Sequence, residues 1–201
     1  ILFFNDDAAE FTVVIDPQHR QQGIFRKLLK IALMKLHNYA IDHYQLITHH
    51  LDEIWPQKLQ NKGGIADHQE IEMLGPKTFT LRLEQPLRLR QATAEDIDLM
   101  ASIHVSSFKS PSAEAIKRRF SSTIHEPSRQ VWLAYNAANV AVGKLHLRED
   151  YQRMLIHDFS IDAAYQGQGY GQALMTAWYQ QYSPNYAKPI TVEVLGDNLA
   201  A

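Results

Sequence analysis

The chain has 201 residues, of which 45% are hydrophobic and 21% charged, and this balance is typical of a folded globular protein rather than a disordered one. The formal net charge of −2 gives no indication of binding to nucleic acid, and no apolar run approaches the ~20 residues of a membrane span. The lack of cysteine excludes disulfides, thiolate metal sites and a cysteine nucleophile, and it fits a reducing, cytoplasmic setting.

The first ten residues, ILFFNDDAAE, lack the basic start and cleavage site of a signal peptide. They also open inside an apolar run and without methionine. We therefore expect a piece of a longer chain, or one from which segments have been left out.

The first part of the chain predicts alternating strands and helices. EFTVVID reads as a strand, and an apolar face of 3.6-residue spacing follows from Phe25. YQLITHH predicts a short strand, and LDEIWPQKLQNKGG predicts a helix that Pro56 interrupts and that Gly63 and Gly64 end. HQEIEML and TFTLRLEQ alternate apolar and polar residues, as strands do.

A second series of predicted strands and helices begins at QPLRLRQAT. Thr93 and Asp96 form a capping-box pattern before a helix with His104 on its apolar face, and a second helix follows Ser110-Pro111. RQVWLAYN and VAVGKLHLRED predict a hairpin, and MLIHDFSID predicts a third strand. A glycine-rich loop, a helix and the strand ITVEVLGDN complete the series, so we predict a mixed α/β sheet.

Two segments of the chain repeat each other. VVIDPQHRQQGIFRKLL aligns with FSIDAAYQGQGYGQALM without a gap. The identical pairs in register are Ile15-Asp16 with Ile161-Asp162 and Gln22-Gly23 with Gln168-Gly169. Turn chemistry at a helix entry could produce such a match by chance, but two identical pairs in register favour a true internal repeat.

A glycine-rich turn at a helix N-terminus suits a phosphate group. It presents unpaired backbone N–H groups and the positive end of the helix dipole, and glycine permits close approach. A purely structural turn explains a single glycine-rich turn better. A Rossmann fingerprint would need glycine at Gln172, and no Walker lysine followed by Ser or Thr is present.

The second turn, QGQGYG, resembles the Q/R-x-x-G-x-G/A pyrophosphate loop of the GCN5-related N-acetyltransferases (GNAT family). VGKLHL, LRLRQATAEDIDLM and ITVEVLGDN also resemble that family. The resemblance implies an acyl-CoA N-acyltransferase fold in a mixed α/β sheet, acetyl-CoA as co-substrate, and direct transfer of an acetyl group to a primary amine. The implied cofactor-binding residues are Phe159, Ser160, Ile161, Gln166, Gly167, Gln168, Gly169, Tyr170, Gly171 and Asn198.

The resemblance also implies two tandem domains, both incomplete. Residues 87–201 resemble the domain from its first strand to just past its fifth, and residues 1–85 resemble only its second half. A second candidate cofactor site in the first copy consists of Ile15, Arg20, Gln21, Gln22 and Gly23. Phe25 stands there where the family has Gly or Ala, so we expect acetyl-CoA to bind the second copy and not the first.

The family often places a catalytic carboxylate on its fourth strand, and His157 and Asp158 stand at or beside that position. Histidine has a suitable pKa for a general base near neutrality. A strand histidine that packs beside Phe159 is the competing explanation. A buried His157 would move the role to Asp158, Glu193 or a water molecule. The family's usual acid, a tyrosine, would lie beyond Ala201, so none is assigned.

Other polar groups give weaker indications. His49, His50 and Asp52 could suggest a metal site, but adjacent strand histidines point to opposite faces, so we predict no metal. Glu114, Lys117, Arg118 and Arg119 predict a solvated helix face. The acceptor is expected to be a small-molecule or peptide amine, and the sequence does not indicate an oligomeric state. A silent CoA-binding or regulatory module, or a fold kept only for interaction, remain alternatives.

Overall fold

The computed structural model describes residues 2–4, 9–38, 41, 43–49, 54–75, 86–109, 112–182 and 187–196. The chain divides into two compact units, Ile1–Asp67 and His68–Ala201. The sequence predicted the division at residues 85–87. The difference arises at the strand Glu70–Leu74, which hydrogen-bonds into the sheet of the second unit.

The described strands are β1 (Leu2–Phe4), β2 (Ala9–Phe11), β3 (Tyr44–Leu46), β4 (Glu70–Leu74), β5 (Arg88–Gln91), β6 (Arg129–Tyr135), β7 (Ala141–Glu149), β8 (Met154–Ile161) and β9 (Ile190–Leu195). The helices are α1 (Ile24–Asn38), α2 (Ile54–Gln60), α3 (Ile97–Phe108), α4 (Ala113–Thr123) and α5 (Tyr170–Tyr182). Short 3-10 helices occupy Pro17–His19, Ala94–Asp96 and Ala163–Tyr165. Within this part of the chain, no helix is both long and apolar enough to cross a bilayer.

The first unit contains a sheet of order β1-β2-β3, in which β2 is antiparallel to β1 and parallel to β3. Phe11 of β2 and Leu36 of α1 are buried in its core. The predicted strand EFTVVID ends early, at Phe11, because the ladder of β2 with β3 ends at the pair Phe11–Leu46. Pro56 lies in the first turn of α2, where a missing N–H does no harm, so it does not interrupt the helix.

The second unit contains a sheet of order β4-β9-β8-β7-β6-β5. Neighbouring strands are antiparallel except β8 and β9, which are parallel because α5 connects them. The mixed α/β sheet and the β6–β7 hairpin predicted from the sequence are therefore confirmed. The predicted strand TFTLRLEQ lies outside the described residues.

Helices cover the two faces of this sheet, as the alternation of side chains along the strands requires. On one face, α3 and α4 pack Met100, Ile103 and Phe120 against β6. On the other face, α5 packs Leu174 and Trp178 against the centre of the sheet. Side chains of β7 and β8 that point toward α3 and α4 form the polar cluster described below.

Each unit contains the predicted order of strand, turn, helix and strand. In each turn an aspartate, Asp16 or Asp162, caps the 3-10 helix by accepting a hydrogen bond from the amide two residues later. The backbone then takes positive φ twice at matching positions: Gln21 (62°) and Gly23 (76°), and Gly167 (72°) and Gly169 (83°). The two turns therefore share one local geometry, although Gln21 adopts a conformation that favours glycine.

Gly75, just after β4, permits a close approach between β4 and the rest of the second unit. Its amide donates to the Ile190 carbonyl at 2.7 Å, and a Cβ at this position would overlap the Tyr179 hydroxyl. We expect Gly75→Ala to lower the free energy of unfolding by about 1–3 kcal/mol, because overpacking forces the strand or the tyrosine to shift.

Chemical denaturation followed by circular dichroism would measure this effect. Gly171→Ala is a matched control, because a Cβ there meets Phe159 and Ile161 at an ordinary 3.8 Å. We expect that variant to be as stable as the wild type or up to about 1 kcal/mol more stable. Equal stability of Gly75→Ala and the wild type would contradict the steric argument.

Candidate functional site

The loop between β8 and α5 is held by its own side chains. Gln166 Nε2 donates to the Ile161 carbonyl at 2.9 Å, and Gln168 Nε2 donates to the Ala164 carbonyl at 3.0 Å. Both glutamine side chains therefore fix the turn, and the groups left for a ligand are on the backbone.

The backbone amides of this loop are left without hydrogen-bond acceptors among the described residues. Within the described part of the chain, the N–H groups of residues 167–172 have no acceptor, and the first helical bond runs from the Ala173 amide to the Gly169 carbonyl at 3.0 Å. A Cβ at Gly167 or Gly169 would have no atom within 4 Å. Free amides at the positive end of α5, without side chains above them, fit a pyrophosphate group.

Gly171 plays a different part from the one predicted. A Cβ there would face Phe159 and Ile161 on the strand, away from the open space. The matching Phe25 of the first turn is half-buried. The expectation that Phe25 crowds a ligand at the first turn stays a prediction.

Next to the loop, β8 and β9 part. Their parallel ladder runs from the pair Met154–Ile190 to the pair Ile156–Val192, although β8 continues to Ile161. The edge of residues 158–161 toward β9 has no strand partner in the described structure. The side chains of Ser160 and Ile161 are buried, so this stretch offers its backbone to a ligand.

Asp158 lies at a β-bulge in β8. The pairing with β7 shifts by one residue between Lys144–Ser160 and His146–His157, and Asp158 adopts a φ of +49°. A bulge of this kind bends the strand and re-aims its side chains.

The Asp158 carboxylate is surrounded by nitrogen groups of three other side chains. Lys144 Nζ lies 2.5 Å from Oδ1, His104 Nδ1 lies 3.0 Å from Oδ1, and Arg119 lies 3.4 Å from Oδ2. Burial alone would raise the pKa of Asp158, but the hydrogen bond from His104 and the charge of Lys144 hold it far below its ordinary value. So strongly stabilised a carboxylate is a poor proton acceptor.

His157 lies largely buried beside this cluster. Burial, with a contribution from Arg129, lowers its pKa to about 4, and its Nε2 has no hydrogen-bond partner among the described residues. Its ladder partner His146 is more deeply buried, and its pKa also lies well below the ordinary histidine value. The competing explanation of His157 as a packed strand residue therefore gains support.

Glu193 stands at the opening between the strands. It follows Val192, the last β9 residue in the parallel ladder, just as His157 follows Ile156. Burial and the charge of Glu70 raise its pKa, and its side chain is still 33% exposed. A carboxylate with a raised pKa and access to solvent is better suited to accept a proton than His157.

Sequence reasoning missed Lys144, His104 and Arg119 as members of this cluster. The sequence predicts a solvated helix face for Arg119, but its guanidinium group reaches Asp158. A usable signal was the charge of Lys144 within the apolar strand VAVGKLHL, because a buried cation needs a partner. Of the remaining predicted positions, His50, Asp52 and Asn198 lie outside the described residues.

The buried histidines predict loss of stability in acid. Between pH 6.5 and pH 4 the unfolded chain binds a proton at His157 while the folded chain does not, so the free energy of unfolding falls as the pH falls. The full loss at His157 is about 3 kcal/mol. His146 acts in the same direction, and Asp158 adds to the loss at still lower pH.

Denaturation at pH 7.5, 6.0 and 5.0 would measure this loss. We expect His157→Gln to flatten the dependence, because glutamine does not titrate. An unchanged slope in that variant would show that His157 is not the titrating group.

A family model described as the acetyltransferase (GNAT) family matches residues 97–201, which is just over half of the chain. The chain belongs to the acetyltransferase (GNAT) family. The matched residues include the polar cluster, the loop and both parted strands, so the GNAT domain contains the whole candidate site. No curated protein sequence matches the chain significantly.

Solved structures share the fold of this GNAT chain. A GCN5-related N-acetyltransferase from Sphaerobacter thermophilus superimposes with a TM-score of 0.66 at 14% identity, over 96% of this chain and 66% of its own. A conserved protein of unknown function from Staphylococcus epidermidis ATCC 12228 gives 0.65 at 14% identity, over 96% of this chain and 76% of its own. A candidate acetyltransferase from Pyrococcus horikoshii is 24% identical with a TM-score of 0.42, over 50% of this chain. The chain spans only about 36% of that protein's length.

Proposed function

We propose that the chain is an N-acetyltransferase that moves an acetyl group from acetyl-CoA to a primary amine by direct attack. The observation that carries this proposal is the set of free amides at residues 167–172, next to the parted strands β8 and β9. Membership of the GNAT family supports it.

The chain's own residues supply binding and orientation. The loop amides hold the pyrophosphate, and the unpaired backbone edge of residues 158–161 hydrogen-bonds the pantetheine arm, as an added strand would. Bound there, acetyl-CoA supplies a thioester carbon, to which the amine nitrogen bonds as the carbon–sulfur bond breaks and the sulfur leaves as a thiol.

Glu193 is the group we assign as general base, with His157 as the second candidate. It stands where the strands part, and burial raises its pKa. Asp158, also predicted as catalytic, is engaged by Lys144 and His104 and serves better to position its strand.

We extend the proposal to the rest of the chain. The acceptor is a small-molecule or peptide amine, and the protein acts in the cytoplasm. The first unit is the second half of another GNAT domain, because its turn repeats the caps and the positive-φ positions of the second.

Isothermal titration of the full chain with CoA at fixed salt tests the binding part of this proposal. We expect one site. A second, weaker site that disappears on replacing Arg20 would place another ligand at the first turn, at residues Ile15, Arg20, Gln21, Gln22 and Gly23. Failure of the folded chain to bind CoA would contradict the proposed function.

A further inference from the structure

The opening between β8 and β9 coincides with the bulge at Asp158. The parallel ladder ends at Ile156, and the backbone turns to positive φ two residues later. A regular β8 would keep its strand geometry and could extend its ladder along β9, which would close the opening. The bulged residue therefore lies where the two strands part.

Positive φ is unfavourable for aspartate in a strand and costs about 1–3 kcal/mol unless the surroundings compensate. Lys144 supplies such compensation. Its side chain is 0% exposed, and its Nζ lies 2.5 Å from Asp158 Oδ1 and 3.4 Å from the Asp158 carbonyl oxygen. The ammonium group thus contacts both the side chain and the backbone of the bulged residue.

Residues of two helices also contact this ion pair. His104 of α3 lies 3.0 Å from the same carboxylate oxygen, and the ring of Phe120 from α4 lies 5.1 Å from the ammonium group. A buried lysine that loses its partner is strongly destabilising, so the ion pair resists any movement of Asp158 out of the bulge.

We propose that Lys144 is a positioning residue: through Asp158 it holds the bulge that keeps β8 parted from β9, and so keeps the cleft open to the pantetheine arm of CoA. This inference rests on the proposed function for its ligand. The arrangement of the bulge can be tested without any ligand.

Two double variants test the inference without leaving a buried charge unpaired. Lys144→Met with Asp158→Asn removes the ion pair between the two residues. Lys144→Met with Asp158→Gly also removes the ion pair, but it provides a residue that adopts positive φ freely. We expect the first to bind CoA at least ~10-fold more weakly and the second to bind it like the wild type.

The nucleotide portion of CoA without its arm, 3′-phosphoadenosine 5′-diphosphate, is the control ligand. We expect both variants to bind it as the wild type does, because the loop amides are unchanged. Equal losses for CoA and for this nucleotide would indicate general damage and would overturn the inference. So would wild-type CoA affinity in the asparagine variant.

The glycine variant keeps the test decisive if the asparagine variant does not fold, because the inference requires it to bind CoA without the lysine. Hydrogen exchange of the ligand-free proteins separates this inference from the proposed function. We expect the amides of residues 157–161 to exchange more slowly in the asparagine variant, as β8 pairs further along β9. Unchanged exchange would contradict the role of Lys144 even if no protein bound CoA.

Discussion

Replacing Gly169 with valine is expected to lower the affinity for CoA at least ~100-fold, because the change acts twice on the loop. Gly169 has a φ of +83°, which a β-branched residue adopts only with strain. Its Cβ would also project into the open space beside the free amides. Isothermal titration at fixed salt measures the loss.

The first turn offers a matched control. Gly23 has a φ of +76° and an equally open Cβ position, so Gly23→Val introduces the same kind of strain at the matching place. We expect Gly23→Val to leave the affinity unchanged. If CoA binding survives Gly169→Val and disappears in Gly23→Val, the ligand binds the first unit and our site assignment is wrong.

The second large effect is expected at Glu193. Glu193→Gln keeps the shape of the side chain but removes the proton acceptor, so we expect kcat/KM to fall by ~10²-fold or more. CoA affinity should change little, because the loop is untouched. In the wild type, activity should fall on the acidic side of the pH–rate profile with an apparent pKa above the ordinary glutamate value of 4.5. The reason is that burial raises the pKa of Glu193.

His157→Gln distinguishes the two candidates for the base. With its pKa lowered to about 4, His157 is a weak proton acceptor, so we expect kcat/KM to fall less than ~10-fold. A large loss in His157→Gln with near-normal activity in Glu193→Gln would return the catalytic role to His157.

Local sequence patterns were sufficient for the elements that carry their own signals. The glycines at 167 and 169 predicted a tight turn before a helix, and both take positive φ there. The capping box at Thr93 and Asp96 is present, with the Thr93 amide donating to the Asp96 carboxylate at 2.8 Å. Each of these features depends on residues only a few positions apart.

Features that depend on distant contacts were not predictable in this way. The strand EFTVVID has strong β propensity, but its described ladder with β3 ends at Phe11. The cluster at Asp158 combines groups from β7, β8, α3 and α4, so no local pattern showed that Lys144 and His157 would be buried. The pKa of His157 follows from that burial and could not be read from its position in the strand.

The central claim is that this chain transfers acetyl groups, and thiol release in the presence of acetyl-CoA and a range of small-molecule and peptide amines tests it most directly. We expect at least one amine to produce steady thiol release without a burst, because the proposed direct attack forms no covalent enzyme intermediate. One acetylated amine should form per thiol released. Tight CoA binding without turnover on any amine would contradict the claim and would indicate a binding module that keeps the fold but not the reaction.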